Sequence, residues 1–267
     1  MKRNYLSYSA LKAFAKSPNH YLQYVSGERT ESDAMKLGSL LHCMLLEPTE
    51  VDGKFAQAPD VNLRTKAGKE EAAAFAEANA EKTVVKPDQW KLADTMRVAV
   101  QGHPLALELL KGQPEHKLEG DIEGVPFVGY ADCLGEFVVD VKTTRDASPQ
   151  GFKREASNFD YHLQAAIYKR LTGLDFKWVA VENVAPFNVA VYTPDEQSMQ
   201  AADAYLCNLV AAWRVWDGTP AGYTYDDLTL ELPPWHPAWN VTRGYGATPN
   251  HKAPGLEDTV EFLNSLK

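Results

Sequence analysis

No stretch of 18 or more apolar residues occurs in the 267-residue chain, which excludes an ordinary membrane-spanning helix. The first residues, Met1 to Ser7, also lack the apolar core of a secretory signal peptide. These two absences predict a cytoplasmic protein that has no membrane partner.

Cysteine is scarce as well. The chain contains three, Cys43, Cys133 and Cys207, which lie far apart and form neither a CxxC pair nor a cluster with histidine. This spacing excludes a disulfide framework, a zinc site and an iron–sulfur cluster. We expect all three to be buried free thiols.

Positive charge is in deficit, since the formal net charge is −9. The deficit is uneven: residues 1–36 carry six Lys or Arg against three acids, whereas residues 195–231 carry seven acids and one Arg. A local basic face can attract phosphates while an acidic face elsewhere keeps the protein soluble. Net charge therefore argues only weakly against nucleic-acid binding.

Hydrophobic periodicity predicts a single α/β or α+β domain over residues 1–267. Its parts are a helical region at 1–112, a catalytic core at 113–216 and an extended tail at 217–267. Helices are predicted over Tyr8–Ser17, a short segment from His20, Met35–Leu46, Glu70–Ala80, Lys86–Leu110 with a break near Gly102, Phe159–Thr172, Pro194–Trp216 and Leu256–Leu266. Strands are predicted over His116–Ile122, Val125–Leu134, Glu136–Lys142, Phe176–Glu182 and Asn188–Tyr192.

Two aspartates and a lysine lie within eleven residues of a predicted hairpin. Asp132 ends one strand, Asp140 lies on the next, and the chain turns near Gly135. Residues i and i+2 of a strand share a face, so Asp140 and Lys142 project to the same side. Carboxylate oxygens suit Mg²⁺ or Mn²⁺, which accept phosphate oxygens and lower the pKa of a bound water. The pattern predicts a metal-dependent phosphodiesterase.

A solvated edge strand would also carry such residues. The apolar context of Phe137-Val-Val-Asp-Val favours the functional interpretation, because charges in a buried strand are costly unless they are paired or bound to metal. Gln164 and Tyr168 stand four apart on a predicted helix, share a face and could donate hydrogen bonds to a phosphate or a water. His42 alone, in an apolar helix, is more typical of a core residue than of a ligand.

Four motifs follow one another along the chain: Gly38-x-x-x-His42, Gly129-x-x-Asp132, Asp140-x-Lys142 and Gln164-x-x-x-Tyr168. Their series resembles that of PD-(D/E)xK nucleases of the RecB type. Longer stretches resemble the nuclease domain of RecE-type exonucleases (exodeoxyribonuclease VIII), and they are Ser7–Pro18, Leu40–Pro48, Arg64–Glu71, Val139–Thr144 and Tyr161–Gln164. The resemblance runs from about Leu6 to near Trp235.

The resemblance implies a restriction-endonuclease-like core, a central mixed sheet flanked by helices. It also implies a 5′→3′ double-strand DNA exonuclease used in phage-type single-strand-annealing recombination. The implied metal ligands are His42, Asp132, Asp140 and the carbonyl of Val141. The implied catalytic set is Asp132, Asp140 and Lys142, supported by Gln164 and Tyr168. The implied cofactor is Mg²⁺, replaceable by Mn²⁺, with two ions per site.

Several polar residues are candidates for gripping the DNA end or its backbone. They are Ser7, Ser9, Lys12, Arg64, Lys66 and Lys69. A capped helix and a solvated basic face explain the same residues equally well. One departure from the family concerns Gly129-Tyr-Ala-Asp132, where related enzymes commonly show Arg-Pro-Asp; the acid is retained, but contacts from that arginine are missing.

Two alternatives stay open. One is a DNA endonuclease of the same superfamily; its iron–sulfur version requires four clustered cysteines, which are absent. The other is a non-catalytic DNA-end-binding scaffold for recombination, against which retention of both acids and the lysine argues. The expected partners are double-stranded DNA ends, a single-strand-annealing protein and copies of the same chain in a ring-shaped trimer or tetramer. The acidic, Trp-bearing region Asp195–Trp239 is our candidate docking surface for the annealing protein.

Overall fold

The computed structural model describes residues 2–27, 32–62 and 64–221. The helices of this part of the chain are α1 (Tyr8–Lys16), α2 (Pro18–Ser26), α3 (Asp33–Leu46), α4 (Val51–Lys54), α5 (Lys66–Ala78), α6 (Pro87–Gln101), α7 (Pro104–Leu109), α8 (Pro149–Asn158), α9 (Tyr161–Thr172) and α10 (Glu196–Val215). The strands are β1 (Phe55–Gln57), β2 (Thr83–Val85), β3 (Gln113–Ile122), β4 (Val125–Leu134), β5 (Val138–Thr144), β6 (Phe176–Glu182) and β7 (Val189–Tyr192).

A five-stranded mixed sheet in the order β3-β4-β5-β6-β7 organises these elements. Neighbouring strands run antiparallel except for β5 and β6, which are parallel and are connected through α8 and α9. A parallel pair needs such a crossover because its strands cannot be joined by a tight turn. Strands β1 and β2 form a separate parallel pair.

Both faces of the large sheet are buried. On β6, Phe176 and Trp178 belong to one hydrophobic cluster, whereas Val179 and Val181 belong to the other. Helices α1, α2, α8, α9 and α10 supply the first cluster, and α3, α6 and α7 supply the second. The sheet is therefore the middle of three layers. Strands β5 and β6 are buried almost continuously, whereas β4 alternates between buried and more exposed residues.

The hairpin of β3 and β4 carries the first half of the candidate site. It turns through Glu123 and Gly124, whose φ angles of 53° and 78° are those of a two-residue type I′ turn. Strand β4 then pairs with β5 only at its end, over Cys133–Val139 and Leu134–Val138. Beyond these pairs the Val141 N–H donates to the Asp132 carboxylate at 2.7 Å instead of to a strand carbonyl. The Asp132 side chain thus replaces a backbone partner where the two strands part.

The predicted fold class is confirmed, and the strands Val125–Leu134 and Phe176–Glu182 have the predicted bounds. The pattern missed α8, because this helix is largely polar and buries only Phe152 and Ala156. It also missed the short β1–β2 pair. Helix α5 begins at Lys66, within a segment predicted to be loop, because Thr65 caps it by accepting the Gly68 N–H.

Other boundaries shift by a few residues. Strand β5 runs from Val138 to Thr144 rather than from Glu136 to Lys142, and α10 begins at Glu196, after its cap Asp195, rather than at Pro194. Cys43 and Cys133 are buried as expected, but Cys207 is half-buried, so that expectation was wrong for one thiol. Among the described helices none is both long enough and apolar enough to cross a membrane. The predicted helix at Leu256–Leu266 and most of the predicted tail lie outside the described residues.

Candidate active site

Strand β5 places Asp140 and Lys142 on the sheet face that α9 covers. Lys142 Nζ lies 2.5 Å from Asp140 Oδ2, and the side chains are 17% and 3% exposed. Gln164 of α9 donates through Nε2 to the other oxygen, Asp140 Oδ1, at 2.7 Å. The i, i+2 spacing of the strand and one helix residue therefore produce a buried carboxylate whose two oxygens face different partners.

The contact between Asp140 Oδ2 and Lys142 is close but lies outside hydrogen-bond geometry. Asp140 Oδ2 and Gln164 Oε1 both remain buried without a hydrogen-bond donor in the described part of the chain. Buried polar atoms without partners are rare and costly, and in a cleft they mark a place for water, an ion or substrate.

Lys142 is also held from the side by an aromatic ring. Its ammonium lies 4.8 Å from the centroid of Tyr161, the first residue of α9. The Tyr161 hydroxyl donates to Glu155 Oε1 at 3.4 Å, and Thr144 Oγ1 bonds the other oxygen of Glu155 at 2.5 Å. A cation over an aromatic face is attracted by the ring quadrupole. Tyr161 thus limits where the lysine can go, a role that sequence reasoning missed.

His42 and Asp132 form the other half of the site, on the α3 side of the sheet. His42 Nε2 lies 2.9 Å from the Val141 carbonyl oxygen, and His42 Nδ1 lies 3.5 Å from Asp132 Oδ2. A proton on Nε2 is required for the first contact. Nδ1 then faces Asp132 Oδ2, which also accepts the Val141 N–H, and a metal cation between the two atoms would suit both lone pairs.

A break in strand alternation directs Asp132 to this place. Ala131 belongs to the first hydrophobic cluster and Cys133 to the second, although residues two apart in a regular strand share a face. On the neighbouring strand, Glu115 has a φ of 46°, a conformation that non-glycine residues rarely adopt. Such irregularities recur next to active sites, where they re-aim a side chain.

Glu115 is a further carboxylate that sequence reasoning did not find. One ligand atom each of His42, Glu115 and Asp132 lie within 4.8 Å of one another. The hairpin register could have identified it, because the turn pairs Ile122 with Val125. Counting back from that pair places Glu115 opposite Asp132, between the pairs Pro114–Cys133 and His116–Ala131.

Burial dominates the electrostatics of this cluster. It raises the pKa of Asp132 to about 6, with the charge of Asp140 adding to the rise, while His42 and Lys142 act against it. Burial likewise raises the pKa of Glu115. Asp132 is thus costly to ionise without a nearby cation, and a divalent metal would remove that cost, whereas Glu115 is an exposed residue.

The donor set fits Mg²⁺ or Mn²⁺. Carboxylate oxygens from Asp132, Asp140 and Glu115, the Val141 carbonyl and the His42 imidazole are hard or borderline ligands, and the described residues bring no thiolate to the cluster. Asp140 Oδ2 faces the Lys142 ammonium at 2.5 Å, so a metal bound there would share this oxygen with the lysine or displace it. Glu115 adds a carboxylate to the predicted ligand set. Asp140 stands apart from the cluster of His42, Glu115 and Asp132, and the Val141 peptide connects the two groups.

A cavity of about 490 Å³ opens onto this cluster. We call it the acidic cavity, and its lining comprises Ser39, His42, Cys43, Glu47, Lys54, Phe55, Glu115, Tyr130 and Asp132.

Tyr168 supports the β4 backbone beside the site. Its hydroxyl donates to the Tyr130 carbonyl at 2.9 Å, and burial raises its pKa to about 12. A Cβ at Gly129 would lie 2.8 Å from the Tyr168 ring, so the glycine is needed for this close approach. Gln164 and Tyr168 therefore share a helix face as predicted, but Tyr168 bonds β4 while Gln164 bonds Asp140.

The predicted DNA contacts divide into two groups. Ser7 caps α1 by accepting the Ala10 N–H, and Ser9 and Lys12 line cavities beside Tyr8. The charge of Lys142 contributes to lowering the pKa of Lys12, after burial, which places Lys12 near the site.

The second group lies at the start of α5 and has local contacts only. Arg64 donates its N–H to Asn62, and Lys66 pairs with Glu70 at 3.7 Å across exposed side chains. Within the described residues, Arg64, Lys66 and Lys69 have no contact with Asp132 or Asp140. The geometry therefore favours the α1 residues as neighbours of the site and leaves the α5 residues with the solvated-face explanation.

The comparisons agree with this geometry. Residues 7–220 match a family model described as a PDDEXK-like domain of unknown function (DUF3799), and the chain belongs to that family. This confirms the predicted PD-(D/E)xK superfamily. No curated protein matches the chain.

Two solved structures are similar in fold. A protein from Eubacterium rectale, whose name calls it a candidate exonuclease, is 16% identical with a TM-score of 0.56, covering 79% of this chain and 82% of its own. At that identity the match shows the shared fold alone. The structure of SSO0001 is 15% identical over 79% of this chain and 87% of its own, and its TM-score of 0.30 is too low to support any argument.

Proposed function

We propose that this member of the PDDEXK-like family is a divalent-metal-dependent DNA exonuclease that cuts from 5′ ends. The observation that carries the proposal is the site itself: two aspartates, the partly buried Asp132 and the buried Asp140, lie on either side of the Val141 peptide, with His42 beside the first and Lys142 beside the second. Buried acids that lack enough cations of their own are suited to binding a metal and, through it, a phosphate.

The metal would be held by Asp132, Asp140, the Val141 carbonyl and His42, with Glu115 available for a second ion. When bound, it neutralises charge on the phosphate and lowers the pKa of a coordinated water.

The protein's own groups supply position and charge. Gln164 fixes Asp140 Oδ1, so Oδ2 stays directed toward Lys142. Lys142, held between Asp140 and the Tyr161 ring, is placed to stabilise negative charge on the phosphate or to orient the attacking water. The Val141 N–H holds Asp132 and therefore keeps the two carboxylates at a fixed separation.

The finer parts of the proposal rest on the resemblance to RecE-type exonucleases. They are 5′→3′ polarity, use of Mg²⁺ with Mn²⁺ as a substitute, processive action by a ring-shaped trimer or tetramer, and transfer of the exposed 3′ strand to a single-strand-annealing protein. The Asp195–Trp239 surface remains the proposed docking region for that protein, and residues 222–239 of it lie outside the described part of the chain.

One digestion series tests these points together. Linear duplexes labelled at either the 5′ or the 3′ end, with 5′-phosphate or 5′-hydroxyl termini, and a closed circular duplex are incubated with the protein and Mg²⁺. We expect stepwise release from 5′ ends of linear DNA and no cutting of the circle. Cleavage of the circle would favour an endonuclease, and tight binding to ends without cleavage would favour the scaffold.

A further inference from the structure

Two adjoining cavities beside Tyr8 carry no acidic side chain, in a chain whose net charge is −9. Their volumes are about 380 and 570 Å³, and among the described residues that line them none is Asp or Glu. We call them the basic cleft, and its relevant residues are Arg3, Tyr5, Tyr8, Lys12, Lys16 and Tyr130.

Two cations of the basic cleft have neutral partners: Arg3 donates to the Val25 carbonyl at 3.4 Å and to the Tyr5 hydroxyl at 3.5 Å, and Lys12 donates to the Tyr8 hydroxyl at 3.5 Å. Within the described chain, Arg3, Lys12 and Lys16 form no ion pair with a carboxylate within 4 Å. Lys12 lies 5.1 Å from the Phe159 ring centroid, and burial lowers its pKa. A partly desolvated ammonium is costly to keep charged unless an anion is near. Asp160, which lies outside the cleft lining, offsets part of this effect on the pKa of Lys12, but no carboxylate lines the cleft itself. The cleft therefore favours an anionic ligand from outside the chain.

Aromatic rings face the same cleft. Tyr5 is 39% exposed and Tyr130 is 54% exposed, and both line the larger cavity. The Tyr130 backbone is held by the Tyr168 hydroxyl at 2.9 Å, so the exposed ring stands on a fixed support. Single exposed tyrosines are ordinary on protein surfaces. Two on one concave, acid-free surface offer a flat face for a base next to a cation for its phosphate.

The basic cleft leads to the candidate active site at two points. Tyr8 lines both of its cavities, and the charge of Asp140 adds to the effect of burial in raising the pKa of Tyr8. Tyr130 lines the larger cavity of the basic cleft and also the acidic cavity that contains His42 and Asp132. The basic cleft and the acidic cavity therefore share one side chain, Tyr130.

We propose that the basic cleft binds a single unpaired DNA strand, with bases stacked on Tyr5 and Tyr130 and phosphates paired with Arg3, Lys12 and Lys16. The strand must be unpaired because the bases of a duplex already stack on one another and offer no free face to a tyrosine ring. This inference rests on the proposed function and deepens it, since it assigns the form in which the substrate strand reaches the site. An acidic peptide would satisfy the charges but would not need the rings.

Fluorescence anisotropy in EDTA tests the inference without any cleavage. The probes are a labelled oligothymidine, an oligonucleotide of the same length with abasic sites throughout, and a polyglutamate peptide. We expect the wild-type protein to bind oligothymidine about fivefold or more tighter than the abasic strand. Tyr130→Ala should bring the two affinities together, and Tyr130→Phe should keep them apart, because phenylalanine retains the ring.

Tyr205→Ala on α10 is the matched control, since Tyr205 is also 39% exposed and lies outside the basic cleft. Tyr5→Ala provides a second variant should Tyr130→Ala fail to fold, as judged by circular dichroism. Equal binding of thymidine and abasic strands by the wild type, or tighter binding of polyglutamate, would overturn the inference. If binding behaves as expected but no DNA is cut with Mg²⁺, only the proposed function fails.

Discussion

The acidic cavity and the basic cleft lie on two sides of Tyr130 and differ in nearly every chemical respect. The acidic cavity gathers Glu47, Glu115 and Asp132 around His42, whereas the described lining of the basic cleft contains lysine and arginine but no acid. One suits a divalent cation and the other suits phosphates. A net charge of −9 is therefore no guide to what the molecule binds, because a nuclease needs opposite charges a few side chains apart.

The largest expected effect is on Lys142, which lines neither the acidic cavity nor the basic cleft but contacts Asp140. Lys142→Ala should lower the cleavage rate by about 10²–10³-fold, because it removes the one ammonium described beside Asp140. End-labelled duplex digestion under single-turnover conditions measures the loss. Lys169→Ala is the control, since Lys169 forms an exposed ion pair with Asp175 at 2.7 Å. Equal rates for Lys142→Ala and the control would remove Lys142 from the site.

Asp132→Asn should stabilise the metal-free protein at neutral pH. Burial raises the pKa of Asp132 to about 6 in the folded protein, above the ordinary value for an aspartate. The free energy of unfolding therefore falls as the pH rises from that ordinary value through about 6, because the folded carboxyl is then forced to ionise. Removing the charge should raise the free energy of unfolding by on the order of 1–3 kcal/mol above pH 6 and should change it hardly at all below pH 4. Thermal unfolding in EDTA at both pH values checks this.

The control for that prediction is Asp195→Asn. Hydrogen bonds from Ser198 lower the pKa of Asp195, so this substitution should bring no gain in stability at neutral pH. A similar gain in both variants, or a gain at low pH, would show that burial of Asp132 is not its cause. Added Mn²⁺ should stabilise the wild type and should lose that effect in Asp132→Asn.

Alanine substitutions of two motif glycines should change the free energy of unfolding in opposite directions. Gly129→Ala beside the basic cleft should cost about 1–3 kcal/mol, because the new methyl group would lie 2.8 Å from the buried Tyr168 ring. Gly38→Ala, in the α3 helix beside the acidic cavity, meets no atom within 4 Å and should gain about 0.5–1 kcal/mol from helix propensity. Denaturant unfolding measures the stability of each variant. A change of the same sign in Gly129→Ala and Gly38→Ala would contradict the close packing of Gly129 against Tyr168 and the open space at Gly38.

The smallest expected effect concerns the ring beside Lys142. Tyr161→Leu should slow cleavage by an amount equivalent to about 0.5–2 kcal/mol, because the ammonium loses its aromatic neighbour at 4.8 Å. Tyr161→Phe keeps the ring and should stay close to the wild type. Equal cleavage rates for Tyr161→Leu and Tyr161→Phe would refute the positioning role.

Strand periodicity and motif order predicted half of the site well. The i, i+2 spacing placed Asp140 and Lys142 together, and the turn near Gly135 placed Asp132 on the adjoining strand. Such features follow from local geometry, which a sequence pattern records directly.

The remaining contacts depend on tertiary structure. His42 reaches Val141 across 99 positions of the chain, and its apolar helix gave no sign of this before the resemblance was considered. Glu115 became visible only through the register of the hairpin and a backbone with positive φ. Tyr161 acts through a ring face, which carries no motif. Among the predicted DNA contacts, Arg64, Lys66 and Lys69 have the right charge, but charge alone does not place a helix.

The division of labour between the acidic cavity and the basic cleft is tested most directly by Mn²⁺ binding, followed by electron paramagnetic resonance on metal-free protein. Asp132→Ala should weaken Mn²⁺ binding about tenfold or more, whereas a double variant with Arg3→Ala and Lys12→Ala should bind Mn²⁺ like the wild type. The double variant should instead lose affinity for DNA in EDTA. Wild-type Mn²⁺ affinity in Asp132→Ala would contradict the account, because the buried carboxylate would then not be part of a metal site.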